Sequence, residues 1–543
     1  MTPDSLSCVS CVSWLADLRP PTSSLPLPSF LSHLSPKHQA WLTLCPILVC
    51  FAIAIWQMRY DWTYDETYHY GWVVGPLMAY LFSVRWRDRP AMESPAPGGK
   101  WRWWAWGGMA ALLPVIWLIR EANPEWRLVG MMLAGLAILS SWLWLYEVGG
   151  KAWWKHFAWS IAFFAVGIPW PSELEKIVTG ALMPANAAIS LEALQWLGVP
   201  SIRSGNLITM AGGTLGVEEA CSGIRSLQGT LMMAIFLGEL NFLKLGLRFV
   251  LIAAGMLIAL VTNVLRTMYI SMTAAESGLE AAKALHNSAG MLVLLGNSIA
   301  LFALAHWLAK RSPEPKWSSK AVAWKWNPSP TLTRGSLSCL LALLLMGPLV
   351  AAWYGWREVK VIPTWQLEEP KAYTGYKRAF IDRRTSIMLR YDEGWSAKWT
   401  SASGNPLHCF YFEWEPGKTP PDNMNVHTPG GCLGAIGIHL IDEKKPMELM
   451  VDGHPMLVRL LRFEQQGRPL YLAYLVSTLQ RNTERADEGS FDFSYGKRFR
   501  AVLAGVRNGG QRLIEIGLWD ETSEEQARKV IAEFLTTHVK WKS

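Results

Sequence analysis

The sequence predicts a polytopic α-helical membrane protein of about nine spans with a C-terminal extracytoplasmic α+β domain. The composition is the first observation: of 543 residues, 51% are hydrophobic, 17% are charged and 31 are Trp. Soluble proteins carry about 25% charged residues, and Trp concentrates where an apolar phase meets water. The distribution of charge is the second observation, because residues 1–354 hold 44 Lys, Arg, Asp and Glu whereas residues 355–543 hold 50. The first part is therefore expected to lie in a membrane and the second to be a soluble domain.

Residues 1–38 are rich in Ser, Pro and Leu and have neither a basic start nor an uninterrupted apolar stretch. This composition favours a disordered N-terminal segment over a signal peptide. Cys8 and Cys11 form a C-x-x-C pair without a second pair or a βαβ context, so neither metal nor redox chemistry is predicted here.

Apolar stretches long enough, or nearly so, to cross a bilayer follow one another up to residue 354. The predicted spans are 40–57, 70–84, 103–119, 127–146, 154–170, 224–240, 247–270, 290–308 and 336–354. The long segment 171–223 is only moderately polar. It is predicted to form one or two interfacial amphipathic helices and then a short β-like stretch at 206–210, with a tenth span as the alternative.

Two loops rich in Lys and Arg, 85–102 and 309–335, set the predicted orientation, because cytoplasmic loops accumulate basic residues. With both loops inside, the N-terminus is cytoplasmic and everything after residue 354 is extracytoplasmic. The chain then comprises a basic cytoplasmic loop at 311–335 and a last transmembrane helix at 336–354. Arg120 and Arg127 fall on an outer loop and disagree with this scheme. The net charge of +8 is assigned to membrane topology, and no nucleic-acid partner is predicted.

Residues 355–543 alternate apolar and polar positions in several runs, which is typical of strands with one buried face. The runs are 385–391, 408–414, 433–440, 457–463 and 470–475, and an amphipathic helix is predicted at 523–538. Cys409 and Cys432 are the cysteines of this region, and outside the cytoplasm they can pair as a disulfide. A small second site made of His427 and Cys432 is the alternative to this structural role.

Three residues far apart in the sequence are candidates for chemistry. Cys221 comes directly before span 224–240, where the helix N-terminus stabilises a thiolate, and Arg225 adds positive charge one turn later. Arg266 and His286 fall at the predicted outer ends of the next two spans. A nucleophile, a cation for an oxyanion and a proton carrier are what cysteine acyl transfer requires. An inert cysteine, an anchoring arginine and a helix-start histidine are the alternatives, and composition and topology leave the choice open.

Other chemistries lack their motifs. The sequence contains no G-x-x-x-x-G-K-[ST], no G-x-G-x-x-G and no H-E-x-x-H, so no nucleotide cofactor and no metal are predicted. Proton-coupled transporters usually carry ionisable groups near the midplane of the membrane, whereas Glu147 and Glu239 are predicted at inner ends of spans. Transport is therefore disfavoured.

The run Glu219-Ala220-Cys221-Ser222-Gly223-Ile224-Arg225-Ser226 resembles the active-site region of exosortases. The blocks Asn263-Val264-Leu265-Arg266 and His286 to Gly290 follow in the family's order, and the similarity covers roughly residues 39–310. Exosortases and archaeosortases are polytopic membrane enzymes regarded as cysteine transpeptidases. The resemblance implies Cys221, Arg266 and His286 as catalytic residues, supported by Arg225, Asn263, Ser222 and Gly223. In the first outer loop the family often has Tyr-Ser-His-Gly, but this chain has Tyr68-His69-Tyr70-Gly71, so no role is carried over to His69.

The C-terminal domain resembles the exosortase-associated periplasmic protein in the stretch His427-Thr428-Pro429-Gly430-Gly431-Cys432-Leu433. Its fusion to the membrane body suggests a variant subfamily, for which the sorting motif Pro-Glu-Pro is left open.

The resemblance implies a bacterial inner-membrane enzyme whose partners are exported proteins with a C-terminal signal of a short motif, a transmembrane helix and a basic tail. Attack by Cys221 on the signal would give a thioester, with Arg266 or Arg225 holding the oxyanion and His286 serving as acid or base. Water would then make the enzyme a protease and an amine acceptor a transpeptidase. A non-enzymatic membrane subunit of exopolysaccharide or protein export is the alternative function.

Overall fold

The computed structural model describes most of the chain from residue 35 onward. The described residues are 35–93, 99–204, 206–211, 213–216, 223–311, 329–357, 364–381, 383–401, 404–416, 433, 438–465, 467–480, 487–488 and 495–542. The predicted disordered segment at 1–38 lies almost wholly outside them, and so does most of the basic loop at 311–335. A helical body up to residue 357 is followed by a sheet-rich domain.

The helices of the body form from the apolar stretches seen in the sequence. They are α1 Pro36–Tyr64, α2 Gly71–Arg87, α3 Lys100–Ala122, α4 Arg127–Ala162, α5 Ser172–Trp196, α6 Ile224–Leu240, α7 Leu245–Ser277, α8 Leu279–Lys310 and α9 Pro330–Gly355. Within α4, Gly150 has φ 70° and ψ −165°, so this helix bends sharply where the sequence separates two predicted spans. A short 3₁₀ helix, Phe163–Gly167, follows it.

Six helices among the described residues are long and apolar enough to cross a membrane: 38–64, 127–167, 172–196, 245–277, 288–310 and 330–355. The predicted spans at 70–84, 103–119 and 224–240 are helical too, as α2, α3 and α6, but they are not among these six. The structure thus supports a polytopic membrane protein, while the count of nine spans and the orientation remain predictions. Helix α5 is one continuous 25-residue helix that has the length and composition of a span, as the alternative of a tenth span expects.

Buried ion pairs join helices of the body. The guanidinium of Arg85 lies 2.8 Å from the Glu239 carboxylate, which Arg248 also contacts. Arg102 contacts Glu147 at 3.1 Å. A charge in a low-dielectric interior must be paired, so these contacts fix how α2, α6 and α7, and likewise α3 and α4, lie against one another.

A small antiparallel sheet of three strands, β1 Ser201–Ser204, β2 Leu207–Met210 and β3 Gly213–Gly216, lies between α5 and α6 in the chain. Strand β2 confirms the predicted β-like stretch at 206–210. Ile208 and Met210 are buried with residues of α5 and α7, so this sheet packs on the helices next to the start of α6.

The strands of the C-terminal domain are β4 Thr364–Leu367, β5 Lys377–Ala379, β6 Glu393–Thr400, β7 Pro406–Trp414, β8 His439–Val451, β9 His454–Gln465, β10 Arg468–Gln480, β11 Asp487–Glu488, β12 Asn508–Trp519 and β13 Val539–Lys542. Most of them form an antiparallel sheet ordered β5-β6-β7-β12-β10-β9-β8, with β11 paired to β10, whereas β4 pairs with β13. The helices of this domain are α10 Arg383–Leu389, α11 Tyr495–Ala504 and α12 Glu524–His538.

The predicted α+β class of this domain agrees with its strands and helices. Helix α12 begins after Ser523, whose side chain accepts a hydrogen bond from Gln526, and it buries Ile531 and Phe534 against the sheet, as its amphipathic pattern predicts. The predicted strand at 385–391 is wrong, because α10 covers most of it and Leu389 packs beside Trp414 on the opposite face of the sheet. A short helix that packs on a sheet can be as rich in apolar residues as a strand within the sheet, so apolar content alone does not distinguish the two.

Candidate functional site

A cavity of about 350 Å³ opens where the loop between α1 and α2 meets α6, α7 and α8. The loop contributes Glu66 and His69, and α7 contributes Arg266. The remaining lining residues belong to the start of α6 and to α8: Gly223, Arg225, Ser226, Gly290, Met291, Val293 and Leu294. One wall is therefore apolar and another carries both signs of charge.

Gly223 is the N-cap of α6 and has a left-handed backbone, with φ 88°. A Cβ atom at this position would lie 2.7 Å from the Cγ and Nδ2 atoms of Asn263, so only glycine fits both the backbone and the space. Ser226 donates a hydrogen bond of 2.9 Å from its hydroxyl to the Gly223 carbonyl and closes the first turn. The N-terminal end of α6, with its positive dipole, is thereby held at the cavity.

Arg266 lies one turn after Asn263 on α7, so both side chains are on the same side of that helix. A Cβ atom at Gly290 would lie 3.6 Å from the Arg266 Cζ atom, which shows that the guanidinium rests against α8 at this glycine. The adjacent Thr267 accepts a hydrogen bond of 2.8 Å from Asn186 of α5. This hydrogen bond therefore fixes the position of α5 along α7 at the turn that carries Arg266.

Glu66 and Arg225 form an ion pair at the cavity, and each side chain is about half exposed (52% and 45%). His69 lies in the same loop as Glu66 and is also exposed toward the cavity. The sequence reasoning did not name Glu66 and left His69 without a role. The signal that could have found them is the short polar loop between two apolar stretches, in which charged and titratable residues are concentrated.

The predicted site residues fall into two groups. The structure brings together Gly223, Arg225, Asn263 and Arg266 around one cavity. Cys221 and Ser222 lie outside the described residues, and Cys221 precedes Gly223 by two positions in the sequence. His286 belongs to α8, four residues before Gly290, but its side chain lies outside the described part.

The cysteines predicted to pair in the C-terminal domain are not tested as a pair. Cys409 is fully buried on β7, and burial raises the pKa of its thiol well above the usual value. Cys432 and His427 both lie outside the described residues, so the disulfide and the alternative second site remain predictions.

The arrangement combines a helix N-terminus and a guanidinium near one point of a partly apolar cavity. Both favour negative charge, so the cavity can stabilise a thiolate or an oxyanion. The Glu66 carboxylate compensates Arg225, at the edge of the cavity.

One comparison with known proteins gives a match, and the match lies in the helical body. A family described as transmembrane exosortase (Exosortase_EpsH) matches residues 62–304. No curated protein and no solved structure matches the chain. The matched residues include the loop of Glu66 and His69 and the parts of α6, α7 and α8 that line the cavity, but none of the C-terminal domain.

Proposed function

Because residues 62–304 belong to the transmembrane exosortase family, we propose that the chain is a membrane cysteine protease or transpeptidase that cleaves the C-terminal sorting signal of exported proteins. Cys221 would be the nucleophile, and Arg266 and His286 its partners. Family membership supports a membrane sorting enzyme, and the cavity supports the choice of residues.

One observation carries the proposal: the cavity joins three chain segments that each contain or adjoin a predicted catalytic residue. Gly223 follows Cys221 by two positions, Arg266 itself lines the cavity, and Gly290 follows His286 by one helical turn. These segments are up to 65 residues apart in the sequence. A site built from these three residues requires such a meeting.

The proposed reaction has two steps. The Cys221 thiolate attacks the scissile carbonyl carbon, and the oxyanion is stabilised by a guanidinium. The C–N bond then breaks, the leaving nitrogen takes a proton from His286, and a thioester remains on Cys221. Water gives a free carboxylate and regenerates the thiol, whereas an amine acceptor gives a new amide.

The depth of the two guanidinium groups favours Arg266 as the oxyanion residue. Arg225 is 45% exposed at the edge of the cavity, where it pairs with Glu66, whereas Arg266 is half-buried. Arg266 lies deeper, against Gly290 of α8. A cation in a drier position stabilises a developing negative charge more strongly than one screened by water.

Access for the substrate follows from the apolar wall. Met291 and Leu294 line the cavity and continue into an apolar surface on α8 that is exposed at Leu295, Ile299 and Phe302. The transmembrane helix of a sorting signal would lie along α7 and α8 and present the bond just beyond its end. The basic loop at 309–335, together with Arg87, Arg89 and Lys100 of the 85–102 loop, supports a site on the extracytoplasmic side of a bacterial inner membrane.

The test is the processing of a co-expressed reporter protein that carries a sorting signal from the same genome. Replacement of Cys221 by Ala should abolish processing. Cys45→Ala is the matched control, since Cys45 is an exposed cysteine of α1 that does not line the cavity, and it should leave processing unchanged. Unchanged processing by Cys221→Ala would overturn the enzymatic function and favour a non-enzymatic export subunit.

A further inference from the structure

The loop between α1 and α2 is anchored on one side and exposed to the cavity on the other. Tyr68 is fully buried, and its hydroxyl accepts hydrogen bonds from the Trp170 amide at 3.0 Å and from Gln228 of α6 at 3.4 Å. Tyr70 donates from its hydroxyl to the Val166 carbonyl at 3.2 Å. His69 lies between these two anchors and Glu66 lies two residues before the first, so the anchors restrict where the two cavity side chains lie.

Arg127, the first residue of α4, anchors the beginning of this loop. Its side chain is 2% exposed and contacts three carboxylates: Asp61 of α1 at 3.1 Å, Asp65 of the loop at 3.0 Å, and Glu175 of α5. The Asp65 carboxylate also accepts a hydrogen bond of 3.0 Å from the Thr67 amide. Arg127 did not fit the predicted topology when it was counted as a charge on an outer loop. The structure shows instead that it is a buried arginine that forms ion pairs with acidic side chains.

The turn directly before Arg127 is the docking point of the C-terminal domain. Trp126 is buried between Tyr495 and Phe499 of α11, with ring centroids 5.4 Å away in both cases. Asn123 donates a hydrogen bond of 3.4 Å to the Arg498 carbonyl. A buried aromatic residue at the centre of a contact is the usual source of its stability.

A second contact reaches α1 itself. Arg390 of the C-terminal domain donates a hydrogen bond of 2.9 Å to Glu125, and its guanidinium lies 4.5 Å from the ring centroid of Tyr60. Tyr60 immediately precedes Asp61, the carboxylate that Arg127 binds. The domain thus contacts the end of α1 and the turn before α4, and these are the two places that hold the loop at 65–70.

We propose that the C-terminal domain is a positioning element of the cavity: by clamping residues 123–126 and the end of α1, it holds Arg127 and, through Asp65, fixes the loop that presents Glu66 and His69. The proposal gives the domain a role in the membrane reaction through contacts with the body, and its functional half rests on the proposed function. Arg127 and Arg390 are positioning residues in this scheme, because neither lines the cavity.

The experiment uses the full chain in lipid nanodiscs and follows hydrogen exchange of the loop. The amides of Thr67, Tyr68 and Gly71 are hydrogen-bonded within it at 2.8–3.0 Å and report its order. The double variant Arg390→Ala/Phe499→Ala should raise their exchange about tenfold, because it removes one ionic and one aromatic contact of the clamp. Arg468→Ala, which breaks an ion pair with Asp520 inside the domain, is the matched control and should leave the loop unchanged.

Unchanged loop exchange in the double variant would overturn the proposal. If the amides of β10 and β12 also exchange faster, the C-terminal domain itself has unfolded. The variant Glu125→Gln, which changes the helical body instead, then replaces the double variant, and it too should raise the exchange of the loop amides. Arg390→Lys keeps the charge and should recover part of the protection. Hydrogen exchange of the loop does not depend on catalysis. Failure of the proposed function would be seen in a different experiment, as unchanged reporter processing by Cys221→Ala, so the two failures can be distinguished.

Processing kinetics supply the functional half of the test. The double variant should lower kcat by about tenfold with little change in KM, because the loop positions groups around the reacting atoms and the apolar surface of α8 is untouched. An unchanged kcat together with disordered loop amides would contradict the claim that the loop serves the reaction.

Discussion

Substitution of Gly223 by Ala is the sharpest single perturbation of the candidate site. The residue combines φ 88° at the N-cap of α6 with a tight contact, since the new methyl group would lie 2.7 Å from Asn263. Both features act where α6 begins, two positions after Cys221 in the sequence. The variant adds one methyl group and changes no charge, so its effect reports backbone and packing geometry.

The magnitude has two parts. An L-residue in the left-handed region costs about 1–2 kcal/mol relative to glycine. Forcing a methyl group into a filled space costs about 1–3 kcal/mol more, depending on how far Asn263 can move. A total of about 2–5 kcal/mol, if borne by the active geometry, corresponds to a loss of processing of about 30-fold or more.

The assay is reporter processing together with the thermal unfolding of the purified chain. Gly246→Ala is the matched control, because Gly246 lies at the start of α7 with nothing within 4 Å of its Cβ position. The control should process normally and be equally or slightly more stable. In the double variant Gly223→Ala/Asn263→Ala most of the steric loss of stability should disappear, because only the Asn263 Cβ contact at 3.2 Å is kept, and the backbone part should remain. Normal processing and stability of Gly223→Ala would refute the reasoning.

Three further predictions concern charges. Arg266→Lys should reduce processing at least about tenfold, because a lysine cannot reproduce a planar forked contact with an oxyanion; near-normal rates would argue against that contact. Glu66→Gln should change processing less than tenfold, because the half-exposed pair with Arg225 is worth at most about 1 kcal/mol. A hundredfold loss would instead give Glu66 a chemical role. In the C-terminal domain, burial raises the pKa of Glu515 from 4.5 to about 7. Folding therefore loses stability as pH rises from about 4.5 to 7, and Glu515→Gln should gain about 2–3 kcal/mol over wild type at pH 8 and nothing at pH 4, measured by hydrogen exchange of β12. A constant gap between the two proteins across this range would show that Glu515 does not titrate as described.

The apolar stretches predicted most of the body, because a span must be apolar for most of its length whatever its neighbours are. The apolar stretches could not predict whether two neighbouring spans are separate helices or parts of one bent helix. The predicted spans at 127–146 and 154–170 belong to one bent element, and the bend depends on the backbone of Gly150. Likewise, the apolar content of 385–391 was read as a strand, although packing on the sheet made it α10.

The charges show the limit of loop counting more clearly. Arg85, Arg102 and Arg127 were each counted as loop residues, yet each is buried with a carboxylate from a distant segment. Pairing over 45 to 154 residues leaves no local trace in the sequence, so a count of basic residues cannot separate a topological signal from an internal ion pair. Glu66 was missed for the same reason, since its significance comes from Arg225, far along the chain.

The register of the candidate site follows from small residues between α6, α7 and α8. Gly255 of α7 leaves room for Leu301 of α8 and Thr230 of α6. A Cβ atom added at Gly255 would lie 3.1 Å from the Leu301 Cδ2 atom. Thr230 also accepts a hydrogen bond of 3.2 Å from Asn297 of α8. Inside a membrane, close packing and interhelical hydrogen bonds replace the hydrophobic effect as the force between helices. These contacts lie two to three turns below Gly223, Arg266 and Gly290, and a helix slipped by one residue at Gly255 would carry Arg266 about 100° around its axis, away from Gly290. The way α6, α7 and α8 meet at the cavity is therefore determined by the packing beneath it, and the proposed catalytic residues need only be correctly placed on helices whose register is already fixed.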